Sequence, residues 1–211
     1  MRQEYSSIND VNETFDAILL AGKGKHATPK HNTHTTTTLA DIYVSLFDPA
    51  SVPKDHALWA VFSSLISREA PKQREQGQFF ALWVDLDEVL APLTFDGICQ
   101  RLVDDMGATV FFAYTSKSAT ENNQKMRLIF PLARPIDGQL YELASRALNG
   151  YIAAIAKPDP APTTPNQVCY LPNRGDFYRS FACLGLDSVG EGPDDLAGLD
   201  TDRLLDPEAF F

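Results

Sequence analysis

The stretch FFALWVDLDEV, Phe79 to Val89, decides the fold. Its bulky apolar and aromatic side chains are those of a buried strand. The run then ends abruptly in Asp85, Asp87 and Glu88. Successive side chains of a strand point to opposite faces, so Asp85 and Asp87 share one face and Leu86 takes the other. Two carboxylates held this close repel and raise each other's pKa unless positive charge lies between them, and a divalent cation with oxygen ligands supplies it. Taken alone, an Asp-x-Asp is better read as a solvated strand end.

Working outward, Thr94 to Met106 places Phe95, Ile98, Leu102 and Met106 on one helical face, with Gly107 as the stop. TVFFAY (Thr109–Tyr114) is β-branched and aromatic, a second strand, and MRLIF (Met126–Phe130) alternates as a third. Asp137 is placed to cap a long helix with an apolar stripe of Leu140, Leu143, Ala147, Leu148, Tyr151, Ile152 and Ile155. The Pro-rich KPDPAPTTP ends it, and QVCYL (Gln167–Leu171) reads as a fourth strand. Strand, helix, strand, strand, helix, strand is the split βαβ pattern, an α+β, RNA-recognition-motif-like βαββαβ sheet. In it the third strand lies between the first and second, and the fourth flanks the first.

On the N-terminal side, LADIYVSLF (Leu39–Phe47) has helical spacing and ALWAVFSSLI (Ala57–Ile66) is apolar without a decisive period, so these form an additional N-terminal α/β layer. INDVNETFDAILL suits a short helix, and the aperiodic AGKGKHATPKHNTHTTTT a linker. The expected division is residues 1–38 as helix and linker, 39–186 as the catalytic domain, and 187–211 as an acidic tail.

Topology makes distant residues neighbours. The first strand's end (Asp85, Asp87), the loop TSKSATENNQK, the third strand's start (Lys125, Arg127) and the approach to the fourth (Asp159) share one sheet edge. Asp159 would add a third oxygen ligand to an open magnesium or manganese site. Ser116, Lys117, Ser118, Lys125 and Arg127 would form a phosphate cradle facing it. Each has a plainer explanation: Pro-Asp-Pro is ordinary turn chemistry, the serines are turn formers, and strand-edge cations discourage pairing.

Together WVDLDE, YTSKSAT, KMRLIFPLARPI and PDPAPTTPNQVCYLPNRG resemble the archaeo-eukaryotic primase superfamily, in its phage and plasmid primase and primase-polymerase branch. The resemblance spans Phe79 to about Tyr178. It implies template-directed nucleotidyl transfer on single-stranded DNA, with Asp85, Asp87 and Asp159 binding two Mg2+ or Mn2+ ions. Ser116, Lys117, Ser118, Lys125 and Arg127 would bind the incoming nucleoside triphosphate, and Asn173 and Arg174 would touch nucleotide or template. Where the family commonly carries a histidine on the nucleotide phosphates, this sequence has Ala119. Lys117 or Arg127 substitutes, or nucleotide is bound differently, or polymerising activity is weak or absent.

Bulk properties set the frame. The chain has 211 residues and is 44% apolar, enough for one core. It shows no bilayer-length apolar run and no basic-then-apolar leader, so no membrane association and a cytoplasmic location are expected. Cys99, Cys169 and Cys183 are widely spaced, as reduced thiols are. A formal charge of −10 argues against bulk attraction to nucleic acid, but the acidic tail carries much of it and leaves room for a local basic groove. No GxxxxGK loop occurs, so helicase activity is expected from another domain or protein. Two other function classes remain: a catalytically silent nucleic-acid- or nucleotide-binding module, and a metal-dependent nuclease or replication initiator. The former lacks exposed aromatics on its third strand, and the latter's histidines (His26, His31, His34) fall in the linker.

Overall fold

Gln78–Leu86 is a strand, and its side chains alternate between two separate cores: Leu82, Val84 and Leu86 join one cluster, Ala81 and Trp83 the other. The computed structural model describes residues 13–24, 34–107, 109–184 and 198–206. In chain order the elements are β1 (Leu19–Lys23), β2 (Thr35–Thr37), α1 (Leu39–Phe47), β3 (Leu58–Val61), α2 (Ala70–Gln76), β4 (Gln78–Leu86) and α3 (Phe95–Met106). There follow β5 (Phe111–Thr115), β6 (Met126–Asp137), α4 (Gly138–Ile152), β7 (Cys169–Tyr170), β8 (Ser180–Cys183) and α5 (Thr201–Leu205).

They make two four-stranded sheets, β4-β6-β5-β8 and β2-β1-β3-β7. The first core packs α3 and α4 on one face of the β4 sheet; the second lies on its other face, against α1 and the inner residues of β1, β3 and β7. This is the expected α+β architecture with its additional N-terminal layer. As predicted, β6 runs antiparallel between β4 and β5.

The fourth strand is a correction. Cys169–Tyr170 pairs with β3 in the second sheet rather than beside β4, and the outer position of the first sheet belongs to β8, next to β5. Burial explains the exchange: Cys169 and Leu171 complete the second core, where Ala60 and Phe62 of the β3 segment also lie. The free edge of β4 is covered by backbone from residues 62–64 and by Asp159.

Local chemistry sets the helix ends. Thr94 accepts from the Gly97 amide to cap α3, whose face of Phe95, Ile98, Leu102 and Met106 is buried, and Gly107 closes it at φ 59°. Asp137 caps α4 by accepting from Gln139 and Leu140. The α4 stripe is rotated from expectation: Leu143 is 53% exposed, and Tyr141, Ala144, Ser145, Leu148 and Ile152 face inward. Tyr141 stacks on Phe79 at 4.1 Å, which fixes that rotation.

Before residue 39, the expected helix and linker are corrected only at their described ends, since residues 8–12 and 25–33 lie outside the described residues. Residues 13–16 are helical, but Leu19–Lys23 pairs with β3, and Thr35–Thr37 pairs with β1. His26 and His31 lie outside the described residues. From the acidic tail, Leu199 and Leu204 are buried against β6 and α4. None of the described helices is long and apolar enough to cross a membrane.

Candidate active site

The residues that follow the second core along the central strands are polar. On β4 the row Ala81, Trp83 continues to Asp85; on β6 Ile129 is followed on the same face by Arg127; on β5 Phe112 leads to Tyr114. Strand register aligns them: Asp85 pairs with Arg127, Arg127 with Tyr114, and Tyr114 with Ser180. One cross-strand row thus carries a carboxylate, a guanidinium and a phenol on the face that looks toward the second sheet.

Arg127 Nη2 lies 3.4 Å from Asp85 Oδ2, and the two side chains are only 14% and 18% exposed. Burial pushes the Asp85 carboxyl above its ordinary value; Arg127 opposes this, while Asp87 and Asp159 add to it by repulsion. Burial is the largest influence on the Arg127 cation and works against it, but Asp85, Tyr114 and Cys169 together outweigh it and the guanidinium stays charged. Asp87 pairs with Lys125 at 3.3 Å near the surface. Asp159 reaches this edge through its backbone, its amide donating to the Asp85 carbonyl at 2.9 Å, while its own Oδ1 accepts from Ala161.

Beside the row is a cleft of about 280 Å³. Its first wall is Tyr114, Thr115, Ser116, Lys117, Ser118 and Arg127; its second is Lys54, Ala57, Tyr170, Leu171 and Asn173. The walls are joined at the Tyr170 carbonyl, which accepts from Tyr114 Oη at 2.6 Å and from Arg127 Nη1 at 3.2 Å. Lys117 Nζ adds a bond to the Arg174 carbonyl at 3.0 Å. Arg127 therefore belongs to both the acidic edge and the cleft. Its Nε is buried and makes no hydrogen bond among the described residues.

Of the candidate residues, Asp85, Asp87, Asp159, Lys125 and Arg127 meet at the acidic edge, and Ser116, Lys117, Ser118, Arg127 and Asn173 line the cleft. Asn173 is nonetheless a strut: its side chain accepts from the Val52 amide at 3.0 Å and donates to the Val52 carbonyl at 2.9 Å. Arg174 joins the same contact through its backbone, bonded to Ala50 and Ser51. Ala119 is buried, with its amide on the Ser116 carbonyl. Lys54, Tyr114 and Tyr170 are cleft residues that the sequence did not flag; only their place in the fold reveals them. The thiols Cys99 and Cys169 are free and buried, and burial pushes both up to about 12, far from nucleophile behaviour.

Among the described residues, no group of three or more His, Cys, Asp or Glu is disposed to hold a metal. The donor set still suits a hard cation, because Asp85 and Asp87 offer carboxylate oxygens at one strand end, although Arg127 and Lys125 pair with them. Magnesium is commonly held by one or two carboxylates, with substrate phosphates and water completing its shell.

No protein-family model matches the chain, and no curated protein sequence matches it. Among solved structures, the AEP (archaeo-eukaryotic primase) domain of the cyanophage S-2L primase-polymerase is similar, with a TM-score of 0.54 and 11% identity over 96% of this chain and 94% of that one. The polymerase domain of Mycobacterium tuberculosis ligase D, in complex with DNA, aligns with 94% of this chain and 80% of that chain at 14% identity and a TM-score of 0.37. The extent of the first match, taken with the β4-β6-β5 order and the second sheet, gives the chain the fold of an archaeo-eukaryotic primase domain.

Proposed function

We propose that this chain is the catalytic domain of a primase or primase-polymerase of a phage or plasmid, joining nucleoside triphosphates on a single-stranded DNA template. The observation that carries the proposal is the cross-strand row, in which Arg127 links the Asp85 edge to a cleft whose lining is cationic and hydroxylic. Asp85 and Asp87, with Asp159 beside them, would hold Mg2+ or Mn2+. Bound there, a divalent ion would favour deprotonation of an attacking 3′-hydroxyl and neutralise charge on the phosphates.

The chain's own groups do the rest. Lys117 and Arg127 attract the polyphosphate, and Ser116 and Ser118 offer hydroxyl donors. The cleft's cations offset the net acidity of the chain locally, so phosphate binding does not need a basic protein overall. Helicase activity, if coupled, is assigned to another domain or protein.

The test is primer synthesis and primer extension on single-stranded DNA with Mg2+ or Mn2+ and labelled ribo- or deoxynucleotides. Native protein is expected to give product and the Asp85→Ala/Asp87→Ala variant none; equal product from both would remove the acids from the mechanism. A second function, nucleotide binding without polymerisation, is favoured by the buried Ala119 at the usual histidine position. Metal-dependent nucleotide binding with no product from native protein would select it.

A further inference from the structure

One wall of the cleft lies outside the strands that carry the acids. It is built from Lys54 and Ala57, at the ends of the Lys54–His56 turn, and the β7 segment of the second sheet, and it brings a cation into the cleft that Ser116–Ser118 also line. We infer that Lys54 is a phosphate-binding residue that grips the polyphosphate of the bound nucleotide from the second sheet, so that the nucleotide is clamped between the sheets. This rests on the nucleotide-binding proposal for the cleft.

Charge is the first support. Lys54 lines the same cleft as Lys117 and Arg127, and none of the residues lining it is acidic; Asp55, next in the turn, is not among them. Lys54 forms no ion pair among the described residues, whereas Lys125 is already matched by Asp87. Its ammonium instead lies 5.0 Å from the centroid of the Tyr170 ring. An aromatic face steadies a cation without neutralising it, so the positive charge stays available to an anion.

Rigidity is the second support. The segment leading to Lys54 is tied down on both sides. Asn173 brackets Val52 with its amide, the Arg174 amide donates to Ala50 at 2.6 Å, and Ser51 Oγ donates to the Arg174 carbonyl at 3.2 Å. After the turn, the Ala57 carbonyl accepts from Gly24 at 2.9 Å. Gly24, at φ 82°, permits this approach, because a Cβ there would meet the Asp55 carbonyl at 2.6 Å. Because the backbone is already held, only the rotamer freedom of the Lys54 side chain is lost when its anion arrives.

The experiment measures binding of dATP and dAMP, each with Mg2+, to native protein and to Lys54→Ala and Lys54→Arg. A phosphate ligand is worth more to a triphosphate than to a monophosphate. Lys54→Ala is expected to weaken dATP binding about tenfold and dAMP binding less than twofold, a contrast that loss of packing cannot produce. Lys54→Arg keeps the charge and is expected to restore most of the dATP affinity. If native protein binds dATP and Lys54→Ala binds it as well, or loses dATP and dAMP affinity equally, the Lys54 assignment is overturned and the cleft remains the nucleotide site. If native protein binds neither, the nucleotide proposal falls and this one with it.

Discussion

Arg127 stands directly opposite Asp85 in the β4–β6 ladder, with Nη2 3.4 Å from the carboxylate, and its other terminal nitrogen donates to the Tyr170 carbonyl of the opposing sheet. One side chain therefore neutralises an acid and joins two sheets. Removing it leaves a mostly buried carboxylate without its cation, while Tyr170 keeps its bond from Tyr114. Arg127→Met is expected to cost about 3 kcal/mol at neutral pH, as loss of one partner from a buried pair does. The Asp85→Asn/Arg127→Met pair should recover much of that loss. Urea unfolding of the two single variants and the double variant gives the coupling directly, and additive effects would show that the pair is not energetically linked.

Asp85 also responds to its acidic neighbours. Burial raises its pKa, and Asp87 and Asp159 push it further in the same direction against Arg127. Asp87→Asn removes one repelling charge, so Asp85 is expected to titrate at lower pH in that variant, as read by carboxyl 13C resonances. The sign for stability follows. The native state holds the Asp85 proton to higher pH than the unfolded chain does. Its contribution is therefore greatest below the ordinary value of 3.8 and is lost as pH rises toward the raised native value. An unmoved Asp85 titration in Asp87→Asn would mean the two carboxylates do not sense each other.

Ala119 occupies the place where a histidine is common in the superfamily that the sequence resembles. Its side chain is 3% exposed and its amide is committed to Ser116, so a larger residue has no room without moving the loop that carries Ser116 and Ser118. Ala119→His is expected to destabilise by about 1–3 kcal/mol through overpacking and to leave nucleotide incorporation no higher than in native protein. Thermal melting together with primer extension checks it. A stable Ala119→His variant with raised incorporation would show that the site accepts the histidine.

The sequence carried the central sheet and its helices because period and caps agree there: Phe79–Leu86 reads as a strand, Thr94 and Asp137 sit at the helix starts, and Gly107 ends α3. The second sheet was largely illegible. Leu19–Lys23 has no alternation, Thr35–Thr37 is polar and mostly exposed, and Cys169–Tyr170 is two residues whose partner is set by a strand more than a hundred positions away. Asp159 nevertheless lies beside Asp85. It gets there by a backbone bond from the loop rather than by leading a strand of the same sheet, so the expected neighbour arrives by an unexpected route. Lys54 had no signature at all, since VPKDH is an ordinary turn until Asn173 and Arg174 fold onto the segment before it.

Gly175 offers a test of the cleft that touches none of its charged groups. A Cβ at this position would collide with the Lys117 carbonyl, so the LPNRG turn and the Ser116–Ser118 loop approach as closely as they do only because residue 175 lacks a side chain. The contact is with backbone, which cannot swing aside, and the loop itself would have to shift. Lys117 would then lose its 3.0 Å bond to the Arg174 carbonyl, and the first wall of the cleft would move away from the second. Gly175→Ala is therefore expected to weaken dATP binding by about tenfold, the effect of displacing a phosphate-contacting loop by roughly an ångström. The Asp85–Arg127 pair and the overall fold should be left in place, which circular dichroism and the Asp85 titration can verify. Native affinity for dATP in Gly175→Ala would mean that the Ser116–Ser118 loop does not position the nucleotide, and would shift the phosphate assignment to Arg127 and the second wall.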